Sequence, residues 1–287
     1  MARSHRKGRT TTAAVSDACR VREGTRVKLH LWPTDTTGAF VDSHGEPDKA
    51  AAEADISRNL AELRKLQEVL YADGRKALLV VFQAMDAGGK DGAIRSLFSG
   101  VNPQGCMVHS FKQPSTLERQ HDFLWRHHYR CPPKGMIGIH NRSHYEAVLV
   151  ERVKGIVPPA VWKSRYARIR EFERLLVDEG TTVLKFFLHI SKDEQKRRLQ
   201  ARLSDPDKQW KFSVADLEER KRWDEYQHAY EDAISECSTS YAPWYIVPSD
   251  YKWYRNWVVS DVLVRTLRDM KLSYPKPDPG LARVKVV

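Results

Sequence analysis

Cysteine is scarce in this chain. Cys19, Cys106, Cys131 and Cys237 are too few for a disulfide scaffold and too widely spaced for paired metal ligands. A reducing, cytoplasmic setting is the expectation that follows. Long apolar runs are missing as well: no stretch approaches the ~20 residues that span a bilayer, and the basic N-terminus passes into Thr and Ala without a signal-peptide core. Neither membrane insertion nor export is expected. Paired carboxylates and an activated hydroxyl do not stand out, so the usual signatures of general acid–base and nucleophilic catalysis are lacking. The pairs His127-His128 and His140-x-x-x-His144 have no zinc signature around them, and the second straddles a strand end. Ser143 beside His144 is no nucleophile pair, because neighbours on a strand point to opposite faces.

What the chain has in excess is positive charge. A net charge of +11 over 287 residues, with a pI near 9.5, calls for a polyanionic partner: nucleic acid, polyphosphate, nucleotide or anionic membrane. Charge alone does not choose among them. An apolar fraction of 41% is ample for one core.

Residues 1–26, carrying Arg3, Arg6, Lys7, Arg9, Arg20 and Arg22, lack periodicity and read as a basic disordered arm. Ile56, Leu60, Leu63, Leu66 and Leu70 recur at helical spacing, predicting an amphipathic helix over 50–71 that Gly74 ends. Short β-rich runs then alternate with longer helical patterns. Strands are expected at Leu78–Phe82, Met107–Phe111, Met136–His140, Val183–Ile190 and Trp244–Val247. Helices are expected at Ala160–Glu179, Val214–Cys237 and Trp253–Met270, with Trp162, Tyr166, Ile169 and Phe172 as a core stripe. Ser115-x-x-Glu118 and Ser191-x-x-Glu194 read as capping boxes that start helices after the second and fourth strands. The rhythm implies an α/β fold with a parallel sheet. One domain is expected over 27–272, with an extended, proline-rich tail over 273–287.

The most telling stretch runs from Ala77 to Gly92. An apolar strand breaks into Gly88-Gly89 and Lys90, then resumes with helix formers. Glycines let backbone N–H groups approach phosphate oxygens, and the helix start adds unpaired donors and a favourable dipole. The match to the Walker pattern is incomplete, since Ala84 takes the first glycine position and Asp91 replaces the magnesium-binding hydroxyl. Ala87, Gly88, Gly89, Asp91 and Gly92 are the phosphate-binding candidates beside Lys90.

In open parallel sheets ligands bind beyond the carboxyl ends of the strands, so the residues after each strand carry the chemistry. The third strand ends in His140-Asn141-Arg142-Ser143-His144-Tyr145-Glu146. Arg142 suits a phosphate, and Asp86 or Glu146 suits magnesium. A basic segment with Arg198, Arg202, Lys208 and Lys211 around Trp210 reads as a lid over about 198–216.

These blocks together resemble the polyphosphate kinase 2 family of polyphosphate-dependent nucleotide kinases, from roughly Lys49 to Leu272. Ala84–Gly92 stands as that family's Walker A, Asn141–Glu146 as its Walker B region, and Asp205-Pro206 with Trp210-Lys211 as its lid. The resemblance implies a P-loop kinase fold of the thymidylate-kinase type, a parallel sheet flanked by helices with a helical basic lid. It makes Asp86 a magnesium-associated carboxylate, Lys90 the Walker lysine, Arg142 a phosphate clamp, and Arg202 and Lys211 lid contacts. Many members carry Asp where this chain has Asn141, which moves direct metal binding to Asp86 or Glu146. The Asn-Arg-Ser-His-Tyr-Glu form resembles the subgroup acting on both AMP and ADP. The implied activity is reversible transfer of a terminal phosphoryl group from inorganic polyphosphate to AMP or ADP, or their guanine counterparts, with magnesium or manganese, in a homo-oligomer (dimer or tetramer). A polyanion donor needs a basic channel beyond the loop, for which Arg95, Lys112, Arg119, Arg126, Arg130 and Lys134 are candidates. Two rival readings are an ATP-dependent nucleotide kinase and a non-catalytic nucleic-acid or polyanion binding protein.

Overall fold

The computed structural model describes residues 16–38, 40–284 and 286. Five strands, β1 (Ala77–Gln83), β2 (Cys106–Ser110), β3 (Ile137–Asn141), β4 (Thr181–His189) and β5 (Trp244–Pro248), form one all-parallel sheet in the order β2-β3-β1-β4-β5. Every residue of β1 is buried, which is why this strand reads as an unbroken apolar run rather than an alternating one. The chain builds outward to β2 and β3 on one side of β1 and to β4 and β5 on the other. A crevice therefore opens at the carboxyl end of β1, where the connections diverge.

Among the described residues seven helices are longer than one turn: α1 (Lys49–Asp73), α2 (Lys90–Phe98), α3 (Pro159–Asp178), α4 (Lys192–Leu203), α5 (Ala215–Lys221), α6 (Trp223–Cys237) and α7 (Lys252–Asp269). One face of the sheet packs against α1, α2 and α7 through Leu63, Leu70, Leu97, Trp257, Val258 and Leu267. The other packs against α3 and α6 through Ile169, Phe172, Tyr230 and Ile234, so the expected aromatic stripe of α3 is core. Asp48 caps α1 by accepting from Ala51 N at 3.0 Å, and Gly74, at φ +62°, ends it. Among the described residues no helix is long and apolar enough to cross a membrane.

Four expectations need correction. The basic arm ends earlier than residue 26: residues 1–15 lie outside the described residues, but Val21 N donates to Trp244 O at 2.9 Å and Ile246 N to Cys19 O at 2.8 Å. This segment thus covers the otherwise bare edge of β5, with Cys19 and Val21 buried. The Ser115–Glu118 capping box closes in both directions, at 2.6 and 3.2 Å, yet starts only the 3-10 turn Glu118–Gln120. Asp122 then captures Leu124 N and Trp125 N, which begins a separate single-turn helix, Trp125–His128. The helix expected over Val214–Cys237 breaks at Arg222, letting α5 stay exposed while Trp223 and Tyr226 of α6 pack inward. The tail is not extended throughout, since Asp278 caps a 3-10 turn at Pro279–Arg283.

Candidate active site

The loop after β1 folds back tightly, with Gly88 N donating to Met85 O at 2.9 Å. A Cβ at Gly88 would sit 2.5 Å from the Ala84 methyl and 2.8 Å from Met85 O, so only glycine fits. Gly89, at φ +96°, directly precedes α2, whose first residue is Lys90. The first N–H groups of α2 and that of Gly89 form a ready anion cradle, while Gly88 N–H is spent closing the turn. Lys90 Nζ reaches back across it to Ala84 O at 3.0 Å.

The register that pairs Phe82 with Asn141 sets the end of β3 beside this loop. Arg142 follows in a left-handed conformation, φ +63°, with its N–H donating to Phe82 O at 3.0 Å. Such a backbone in a residue with a long side chain is strain that the surroundings impose. It aims the guanidinium at Asp86 Oδ1, 3.0 Å away, and at Glu146 Oε2, 3.6 Å away. Glu146, then Asp86, hold Arg142 more firmly charged than usual, against its burial. Asn141 Nδ2 donates to Asp91 Oδ1 at 2.6 Å and so orients the first turn of α2. Asp86, Lys90, Asp91, Asn141, Arg142 and Glu146 thus converge as the sequence indicated. Burial and then Arg142 hold the Lys90 ammonium down to about 8, against the opposing pull of Asp86, Glu146 and Asp91.

Other groups meet this cluster that sequence reasoning did not assign to it. Asp216 on α5 sits near Asp86, which adds to burial in pushing its carboxyl up. Tyr230 and Tyr226 of α6 lie within electrostatic reach of Arg142, and Tyr230 of Glu146 as well. The segment between α4 and α5, expected as a lid, is a 3-10 turn at Gln209–Lys211 with irregular flanks. Arg202 tethers it through Lys211 O and Asp216 Oδ2, at 3.3 and 3.5 Å. Lys208 pairs with Asp205, and Lys211 lies over the exposed Trp210 ring, so both turn into the lid itself.

The expected channel residues scatter. Arg95 and Lys112 are exposed, Arg130 stacks on Tyr129, and Arg119 lies in the 3-10 turn before His121. Arg126 is buried and donates to Lys112 O at 2.8 Å. Lys134 precedes β3, and the adjoining Gly135 N donates to Lys76 O ahead of β1. That is the amino end of the sheet, about 20 Å from the loop for a strand of this length.

Beneath the Arg142 turn lies a fully buried polar network. Lys185 of β4 donates to Glu173 Oε2 at 2.5 Å, Tyr145 OH at 3.0 Å and Cys237 O at 2.7 Å. Tyr145 OH and His144 Nε2 meet Glu173 Oε1 at 2.9 and 3.2 Å. Burial alone would push the Glu173 carboxyl up, but Lys185 and His144 outweigh it and hold it below the usual range. The network pins the two residues that follow Ser143, whose hydroxyl accepts from Gln83 Nε2 at 3.2 Å and Tyr145 N at 3.3 Å. A single charged residue in the apolar run Val183-Leu184-Lys185-Phe186 was the one sequence signal for it. Among the described residues no three His, Cys, Asp or Glu side chains gather as a metal cluster.

The model of the family described as Polyphosphate kinase 2 matches residues 46–275. The chain is 54% identical over 267 residues to an AMP/ADP-polyphosphate phosphotransferase from Meiothermus ruber, covering 93% of this chain and 98% of that protein. It is 47% identical over 273 residues to an ADP-polyphosphate phosphotransferase from Rhodopseudomonas palustris, covering 91% and 92%. The fold superposes on the crystal structure of a polyphosphate kinase 2 from Arthrobacter aurescens with a TM-score of 0.87 at 40% identity, covering 93% of this chain and 94% of that one.

Proposed function

The chain belongs to the polyphosphate kinase 2 family, and we propose that it moves the terminal phosphoryl group of inorganic polyphosphate to AMP and ADP across the crevice between the glycine loop and Arg142. It is a polyphosphate:nucleotide phosphotransferase. The observation that carries the reading of the site is the convergence of Lys90, Arg142, Asp86 and Glu146 on one concavity of backbone N–H donors. The acceptor is a phosphate oxygen already ionised near neutral pH. In-line transfer therefore needs positioning and cations rather than a general base, and the site supplies those. The loop N–H groups and Lys90 hold the donor's terminal phosphates, and Arg142 takes up charge on the transferred group. Arg202 and Asp216 hold the lid so that it covers the crevice and excludes water. Both bonds exchanged are phosphoanhydrides, so the reaction runs in either direction as concentrations dictate.

A hard divalent cation suits the donor set, because Asp86 and Glu146 offer half-buried carboxylate oxygens side by side on Arg142. Asp86 and Glu146 would hold magnesium there, and when bound it would neutralise negative charge on the phosphates. Asp91 stands where a Walker hydroxyl would bind the metal and is engaged by Asn141, which favours this carboxylate pair. The protein works in the cytoplasm as a homo-oligomer.

Given AMP, long-chain polyphosphate and magnesium, the protein should produce ADP first and ATP after a lag, followed by chromatography. ADP accumulating without ATP would remove the second acceptor; no product from AMP would restrict the enzyme to ADP. The depressed Lys90 value makes a further prediction. The KM for polyphosphate should rise as pH climbs past about 8, and Lys90→Arg should flatten that rise. An unchanged profile in Lys90→Arg would detach Lys90 from donor binding. The same shift acts on folding: between about 8 and the ordinary 10.5 the unfolded lysine binds a proton that the folded one has released, so the unliganded fold gains stability as pH rises through that window.

A further inference from the structure

The back of the glycine loop is held by two buried arginines. Arg198 of α4 donates through Nη1 to Ala87 O and Gly88 O, both at 3.1 Å, and through Nη2 to Ser249 O and Asp250 O at 2.5 and 3.3 Å. Arg255 of α7 donates through Nη1 to Gly89 O at 3.2 Å. Gln195 Nε2 donates to Asp86 O at 2.9 Å. Four successive loop carbonyls, from Asp86 to Gly89, are thus tied outward, and with Gly88 N–H closing the turn onto Met85 O, the N–H groups of Gly89 and Lys90 are left for the crevice. A Cβ on Gly89 would overlap Arg255 Nη1, so a side chain there would displace the guanidinium.

The charges behind the loop do not balance. Glu194 is ion-paired to both Arg197 and Arg198, with contacts at 2.6 Å. Arg255 is only 2% exposed, and its remaining hydrogen bonds go to the neutral Asn256 Oδ1, at 2.8 and 3.1 Å. Among the described residues no carboxylate pairs with it. Lys252 is desolvated and then crowded by Arg198, Arg255 and Arg197, which lowers its affinity for a proton. Arg255 itself is pushed down to about 10 by burial and then by Arg198. A buried guanidinium without a counter-ion is costly in the empty protein, and chains retain one where a ligand completes it.

We propose that Arg255, with Arg198 beside it, is a positioning residue for the phosphate loop whose unbalanced charge is neutralised by the polyphosphate on the loop's opposite face, one peptide plane away. This rests on the reading that the loop holds the donor. Arg255 touches no reacting atom in this account. It turns the loop's donors toward the phosphates and supplies them a fixed positive field at a site that water does not screen.

The test uses the full chain and linear polyphosphate, with thermal unfolding and steady-state kinetics on Arg255→Met, Arg255→Gln, Arg255→Lys and Lys90→Ala. Polyphosphate should raise the wild-type Tm. That rise should be at least halved in the Met and Gln variants and kept in Arg255→Lys, which preserves the charge. The Met and Gln variants should raise the KM for polyphosphate about tenfold or more while leaving the KM for ADP near wild type. Arg255→Gln keeps a donor for Gly89 O, so a loss there reports charge rather than a missing hydrogen bond. A wild-type Tm rise and KM in both neutral variants would overturn the proposal, and if Lys90→Ala then still lost its rise, the reading of the loop would stand. No rise in the wild type would instead overturn the reading of the loop itself.

Discussion

Lys90→Met is expected to lower kcat for ATP formation from polyphosphate and ADP by about 10³-fold or more, with the fold intact. The substitution keeps the length and apolar body of the stem but removes the only ammonium inside the loop. Lys90 makes one hydrogen bond, to Ala84 O, and it sits desolvated beside Arg142, so the folded protein loses little when it goes. The loss falls on the transition state, where charge on the transferred group is no longer matched from the loop side. Circular dichroism and Tm serve as the control for folding. A kcat within threefold of wild type would show that the loop does not hold the transferred phosphates.

Lys185→Met is expected to destabilise the fold by about 3–5 kcal/mol, because it strands the Glu173 carboxylate in a fully buried site. For a chain of this size that corresponds to a Tm lower by about 10 °C. The double variant Lys185→Met/Glu173→Gln should recover most of the loss, since no charge is then left unpaired. Denaturant unfolding of the two singles and the double closes the cycle. Additive losses would mean that the pair does not act as a unit. Because Tyr145 and His144 end on the same carboxylate, the single variant should also loosen the Arg142 turn and lower kcat more than it raises the KM for either substrate.

Much of this was legible in the chain because the deciding signals are local. The apolar run of β1, the Gly88-Gly89 break and the helix formers after it belong to one short stretch, and each dictates its structure without help from afar. Arg142 and Glu146 were legible for a related reason, since chemistry at the carboxyl end of a parallel strand follows from topology. The back of the loop was not legible. Gly89 and Arg255 are 166 residues apart, and nothing near Arg255 marks it as different from the other arginines of an amphipathic helix. Only its position between Tyr254 and Trp257, both buried, hints that its side chain turns inward. For Lys208 and Lys211 composition is silent for the opposite reason, because it counts a charge without saying that Asp205 and Trp210 engage it in the unliganded fold. Residues 16–26 were hidden by their arginines, although Cys19 and Val21 alternate as a strand-like edge should.

The most direct test of the account incubates the purified protein with ADP and magnesium, with and without long-chain polyphosphate, and quantifies ATP and AMP together. The account predicts ATP only when polyphosphate is present, in clear excess over any AMP, as the polymer is the donor. ATP and AMP appearing in equal amounts whether or not polyphosphate is present would mean that ADP is both donor and acceptor, and would contradict it.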